Sequence, residues 1–254
     1  MSKSRPTCRR CHSHQLVKNG SIDNKKPKFQ CQDCQRQFVE NPTKKVVYQE
    51  TKELIERLLL EKIPLAGIAR SAQVSSTRLQ DYVNDKSAHV PCDVDVLDKP
   101  KGKLTLECDR AWSFVDCQGN QQWIWLAMDR NTKEIVGVYI GARSKQGARG
   151  LCNSLPSVYP RVFGRNYSPR NTRCQCAICY TDFWASYENI MLKTRQRAVR
   201  KESGKTSQIE RFNNTMRQRI SRLVTATLSF SKKLENHIGA IWYFIHYYNA
   251  CLQA

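Results

Sequence analysis

The spacing of apolar positions changes several times along the chain, and each change marks a predicted element. In TKELIERLLLEKIPLAGIARSAQVSSTRLQDYVND, Leu54, Ile55, Leu58 and Leu59 recur at helical spacing and Pro64 ends that run. A second helix near residues 65–71 turns Ile68 and Ala69 inward. Val74 then anchors a turn, and Ser75 or Ser76 can cap a third helix with Leu79, Tyr82 and Val83 on its buried side. Beyond residue 103 the period shortens to two. KLTLECDRAWSFV, QQWIWLAMDR and KEIVGVYIGA read as three strands of an antiparallel meander, with the first turn at Asp116 to Asn120 around Gly119. A helix is expected at about 145–157, a short buried strand in CQCAICY, and helices thereafter. In SQIERFNNTMRQRI, Ile209, Phe212, Met216 and Ile220 share one face, and IGAIWYFIHYYNACL carries an aromatic core or dimer face.

These elements divide the chain into a polar, cysteine-bearing module at 1–46, a helix-turn-helix at 47–86, a linker with two prolines at 87–102, and a main domain at 103–254. Three strands, a helix, a strand and then helices give the main domain an α/β or α+β pattern of the ribonuclease H kind, here taken as α/β. A chain of 254 residues accommodates one sizeable core with small modules beside it. No apolar run reaches the roughly 18 residues of a membrane span, and the N-terminus lacks the apolar stretch of a signal peptide. A cytoplasmic, nucleoid-associated protein is expected.

Charge narrows the class of partner. The formal net charge is +20, distributed as +8 over 1–46, −2 over 47–100, +5 over 101–192 and +9 over 193–254. Two strongly basic ends suit a polyanion, of which nucleic acid is the commonest. Twelve cysteines in a reducing compartment suit metal ligation better than disulfides. Cys8, Cys11, Cys31 and Cys34 form C-x2-C, nineteen intervening residues, C-x2-C, a spacing that closes a four-thiolate structural Zn2+ site with no open position for catalysis. Phe29 and Phe38 should pack beside the second knuckle. His12 and His14 are alternative ligands, and Lys25, Lys26 and Lys28 suit phosphate contact. Cys174, Cys176 and Cys179 alternate within a strand and read as buried core cysteines.

The third helix of 47–86 has the form of a DNA-reading helix, with Ser76, Thr77, Arg78 and Gln80 exposed early; a plain helical connector is the alternative. Arg can bridge guanine O6 and N7, and Gln adenine N6 and N7. In the basic stretch 193–205, Arg195 and Arg197 can track phosphates. Alternation along 103–115 sets Leu104, Leu106 and Cys108 on one face, with Glu107 and Asp109 on the other. Asp182 ends the strand in CYTDFWASY, and Glu210 lies with Asn213, Asn214 and Arg217 on the polar face of its helix. Three carboxylates converging from two strands and a helix can bind two Mg2+ ions, with Glu107 in reserve. Trp112 and Trp184 beside the acids suit core packing or base stacking. The bland reading of Glu210 is a capping box with Ser207, that of Asp182 a helix cap, and those of Asp116 and Asp129 turn residues.

The strings ECDRAWSFV, CYTDFWASY and QIERFNNTMRQRISRLVTATLSFSKKLENH, set after a four-cysteine ribbon and a helix-turn-helix, resemble transposases of the insertion sequence one family, in the contiguous, fused form. That resemblance implies a ribonuclease H-like catalytic domain of the DDE type. It carries the triad onto Asp109, Asp182 and Glu210, and a basic residue seven positions after the Glu onto Arg217. The stretch 193–205 departs from the family by lengthening the interval between second Asp and Glu. The expected function is Mg2+-dependent strand cleavage and strand transfer on double-stranded DNA, joining the element's terminal inverted repeats to target DNA, by a homodimer or higher oligomer. A non-catalytic DNA-binding regulator and a nuclease or resolvase of the same fold are the rivals.

Overall fold

The computed structural model describes residues 6–8, 10–22, 25–39, 47–96, 104–156, 178–182, 196–223 and 231–253. The chain divides into two compact units, Met1–Tyr48 and Gln49–Ala254. In the first, β1 (Leu16–Ser21), β2 (Pro27–Cys31) and β3 (Gln37–Val39) form an antiparallel sheet in chain order. Phe29 faces Phe38 across β2 and β3 with ring centroids 6.0 Å apart. The buried apolar residues described in this unit are Cys8, Phe29 and Cys31, too few to hold a fold of this size by burial alone.

The second unit opens with α1 (Gln49–Leu58), α2 (Leu65–Ser71) and α3 (Ser76–His89). Ile55, Ile68, Ala69, Leu79 and Val83 are buried at the spacings read from the sequence. The Ser75 hydroxyl caps α3 by accepting from the Arg78 N–H at 3.3 Å. Pro64 does not end the first helix: α1 stops at Leu58, and Pro64 is the N-cap of α2. Its missing N–H costs least at a helix start, which is why it begins a helix here.

A five-stranded sheet follows, in the order β6 (Ile135–Gly141), β5 (Cys117–Asp129), β4 (Thr105–Val115), β7 (Ile178–Thr181), β8 (Gln196–Ala198). β4 to β6 are antiparallel, whereas β7 and β8 run parallel to β4. The first turn forms at Asp116, whose φ of 67° is tolerated by an aspartate; Phe114 then pairs with Gln121 and Val115 with Cys117, leaving a bulge over 118–120.

The parity of β4 assigns its side chains. Leu104, Leu106 and Cys108 join a core against α4 (Lys145–Ser154), where Gly147 admits Trp125 at a distance that any Cβ would obstruct. Ala111 joins the opposite core with Ile209, Phe212 and Met216 of α5 (Ser207–Arg219) and Ile241, Trp242, Phe244 and Ile245 of α6 (Leu234–Cys251). Leu60 belongs to this same core, so the helical segment and the sheet share one apolar interior. The aromatic run of α6 is thus mostly core, with Tyr247 left 41% exposed. Among the described residues, no helix is long and apolar enough to cross a membrane.

Candidate active site

Asp109, Asp182 and Glu210 line one open cleft of about 990 Å3, together with Asn213, Arg217 and Trp123. Asp109 stands at the middle of central strand β4, Asp182 just past the end of neighbouring β7, and Glu210 in the first turn of α5. The parallel pairing of β7 with β4 brings the first two together, since Glu107 lies opposite Tyr180 and each acid follows two residues later in the same direction.

Each carboxylate is held differently. Asp109 is half-buried, and its Oδ2 accepts from Asn213 Nδ2 at 2.8 Å. Burial raises its pKa above the usual aspartate range, opposed by the Arg110 backbone N–H and the Asn213 amide and reinforced by the charges of Asp182 and Glu210. Arg110 grips Asp182 with both ends of its guanidinium, Nη2 at 3.0 Å and Nη1 at 3.3 Å, while lying over the rings of Trp123 and Trp125. Glu210 accepts from the Thr206 hydroxyl at 2.9 Å.

The capping box between Ser207 and Glu210, the alternative reading of Glu210, does not form. Thr206 is the N-cap, Ser207 donates to the Gly204 carbonyl, and the N–H groups of Gln208 and Ile209 both donate to Glu107 Oε2 at 3.1 Å. Glu107, two residues before Asp109 and fully buried, therefore caps α5 from the sheet and leaves Glu210 facing the cleft. Asp116 and Asp129 are turn residues, Asp129 accepting from the N–H groups of Asn131 and Thr132.

The donor set suits hard divalent cations. All three carboxylates offer oxygen, and Asn213, only 6% exposed, has an Oδ1 without a hydrogen-bond partner among the described residues. The acids are less tightly gathered than the thiols of the first unit. Cys8, Cys11, Cys31 and Cys34 form the one metal-type cluster found among the described residues, with all four sulfurs within 4.8 Å of one another. Four soft thiolates at that separation are the donor set of tetrahedral zinc. Backbone N–H groups of Cys11 and Arg10 pull the Cys8 thiol down to about 6. His12 and His14 are exposed and stand outside the cluster. Lys25 is exposed on a left-handed turn, and Lys26 and Lys28 are half-buried.

The remaining sequence-derived residues are scattered. Ser76, Thr77 and Gln80 are exposed at the start of α3 and Arg78 is half-buried; Gln80 donates to Asn84 Oδ1 at 2.7 Å. Arg197 is exposed on edge strand β8, where only a basic loop was expected, and Arg195 lies outside the described residues. Cys179 is buried against Cys108, with sulfurs 3.0 Å apart, whereas Cys174, Cys176 and Trp184 lie outside the described residues. Trp112 is half-buried. Sequence reasoning missed Arg110, Trp123 and the capping role of Glu107. DRAW adjoining the first Asp was a visible signal for Arg110, but its partner lies 72 residues away.

Comparison with known families matches residues 103–249 to the family described as IS1 transposase. The InsB protein of insertion element IS1 4 from Escherichia coli (strain K12) is 31% identical over 140 residues, covering 55% of this chain and 72% of the relative. The InsB protein of iso-IS1n from Shigella dysenteriae is 31% identical over 144 residues, covering 56% of this chain and 94% of the relative. The IS1 InsB protein of Shigella flexneri is 28% identical over 140 residues. The matched span contains every residue of the carboxylate cleft.

Proposed function

The chain belongs to the IS1 transposase family, a DDE-type family whose work is DNA transposition, and from that premise we propose that it binds the ends of its own element and cuts and joins DNA at the Asp109, Asp182 and Glu210 cleft. The observation that carries this reading is the shared cleft itself: three acids from two parallel strands and a helix, facing a basic residue two turns along that helix. The strand order, with a three-stranded meander extended by two parallel strands on the side of β4, is consistent with the ribonuclease H-like arrangement expected from the pattern.

In this reading the three carboxylates, with Asn213 Oδ1 beside them, would hold a pair of Mg2+ ions. Such cations, when bound, supply activation of an attacking oxygen and neutralisation of charge on the phosphodiester. The protein's own residues do the rest. Asn213 fixes the Asp109 carboxylate, Glu107 fixes the helix that carries Glu210, and Arg110 holds Asp182 at the rim. Arg217 places a permanent cation in the cleft for the phosphate backbone. The four-cysteine cluster serves as a structural zinc site of a ribbon that, with α3, contacts the element's ends, α3 presenting Ser76, Thr77, Arg78 and Gln80, while Arg197 tracks phosphates. Two ends must meet for joining, which calls for a dimer or larger assembly.

Asp109→Asn, Asp182→Asn and Glu210→Gln each remove one negative charge with little change of shape. Strand cleavage on an end-containing duplex should fall by orders of magnitude while gel-shift affinity persists. Retained cleavage in any variant removes that residue from the triad, and cleavage without joining in the wild type would make the protein a nuclease. Arg78→Ala or Gln80→Ala should cost about 1–3 kcal/mol on end DNA and flatten its preference over random DNA.

A further inference from the structure

We propose that a second, basic groove, apart from the carboxylate cleft, binds the phosphodiester backbone of duplex DNA. This rests on the transposase reading and adds a place where the duplex is held. The groove, about 1100 Å3 in open volume, is lined by Gln80 and Asn84 of α3, Arg222 beyond the end of α5, and Lys232, Lys233 and Asn236 at the start of α6. Three of these residues are cations, and no carboxylate is among the described lining residues.

Arg222 is the decisive member. Its residue is only 8% exposed, and its Nη1 donates to the Ser231 hydroxyl at 3.4 Å and the Asn236 carbonyl at 3.3 Å. No carboxylate pairs with it among the described residues, in contrast to Arg110 with Asp182 and Arg219 with Glu61. A guanidinium taken out of water without a counter-charge carries a large desolvation penalty, and its planar donor fork matches a phosphate. Lys232 and Lys233 add exposed charge at the mouth. Lys233 is the N-cap of the 18-residue α6 and makes no side-chain hydrogen bond to its first turn, so the positive end of that helix adds to the same field, opposed in part by exposed Glu235 in that turn.

Both walls belong to one packed body. Gly239 of α6 lies so close to Ser87 of α3 that a Cβ would sit 2.5 Å from the Ser87 carbonyl oxygen, and Lys86 of α3 lies over the Tyr243 ring of α6, 4.8 Å from its centroid. Glu210 begins and Arg222 follows the same helix, whose 13 residues span on the order of 20 Å, roughly six base steps along one strand. A duplex held in the groove is therefore held at a fixed distance from the cleft. Gln80 and Asn84 in the wall make α3 and the backbone track parts of one DNA-facing surface.

The test uses the full zinc-loaded chain and a fluorescein-labelled DNA duplex of arbitrary sequence. The Lys232→Ala, Lys233→Ala double variant should lower the slope of log affinity against log salt by about two units, and Arg222→Gln by about one. The duplex should also protect Lys232 and Lys233 from acetylation, read by peptide mass. An unchanged slope in the double variant, whose substitutions are exposed and whose fold is checked by circular dichroism, overturns the groove even if Arg222→Gln fails to fold. Equal protection by polyglutamate would make the groove a docking site for acidic protein and overturn the DNA assignment. If the wild-type chain binds no duplex, the transposase reading falls with it; if it binds and only the groove variants behave as wild type, the groove alone is wrong.

Discussion

His237 is 0% exposed, and neither ring nitrogen has a hydrogen-bond partner among the described residues. Burial, and then the charge of Arg222, push its pKa down to about 4 from an ordinary 6.5. The unfolded chain therefore takes up a proton on this histidine at a pH where the folded chain still refuses it. Stability from this residue is complete above about pH 6.5, falls as pH drops through the window to about 4, and levels off below. The full swing is at most about 3 kcal/mol. His237→Leu keeps the site apolar and removes the proton, so its thermal midpoint should depend less on pH than that of the wild type. A constant difference between the two proteins from neutral pH down to about 4 would show that the buried imidazole is not what titrates.

At the scale of elements, Glu107 shows how a strand can fix a helix. Its carboxylate accepts from two N–H groups of the first turn of α5, and burial raises its pKa, opposed only in part by those two bonds and by Arg130 at 3.6 Å. Glu107→Ala leaves both donors without their acceptor and should cost about 2–4 kcal/mol in denaturant unfolding; Glu107→Gln keeps an acceptor oxygen and should cost less. Equal losses in the two variants would refute the capping role. The parity that sets Glu107 and Asp109 on one face was legible in ECDRAWSFV because a strand's period is local. So was the apolar face of α5, whose Ile209, Phe212 and Met216 are at most 2% exposed. The cap was not legible, because it joins groups 101 and 102 residues apart. Nor was β8, whose three residues QRA carry no alternation and become a strand by parallel pairing with β7. Pro64 misled for a related reason: proline marks a helix boundary, but its identity alone does not say whether a helix is ending or beginning.

The whole molecule is two units with different sources of stability. The second has a continuous apolar interior in which Leu60, Ile124, Phe212 and Phe244 all take part. The first buries Phe29 with Cys8 and Cys31 and gathers four sulfurs within 4.8 Å, so zinc binding there should be most of its folding free energy. All five tryptophans lie between residues 112 and 242, which makes indole fluorescence a reporter of the second unit only. Purified protein should carry one zinc per chain. A chelator, or Cys8→Ser or Cys31→Ser, should open residues 6–39 to protease and abolish their strand signal in circular dichroism. The tryptophan-monitored melting of the second unit should stay where it was. Two zincs per chain would bring Cys174, Cys176 and Cys179 back as ligands, and none would remove the ribbon. A tryptophan transition that moved on chelation would mean that the metal stabilises more than the unit that holds it, and the division of the chain into two independently folding parts would be wrong.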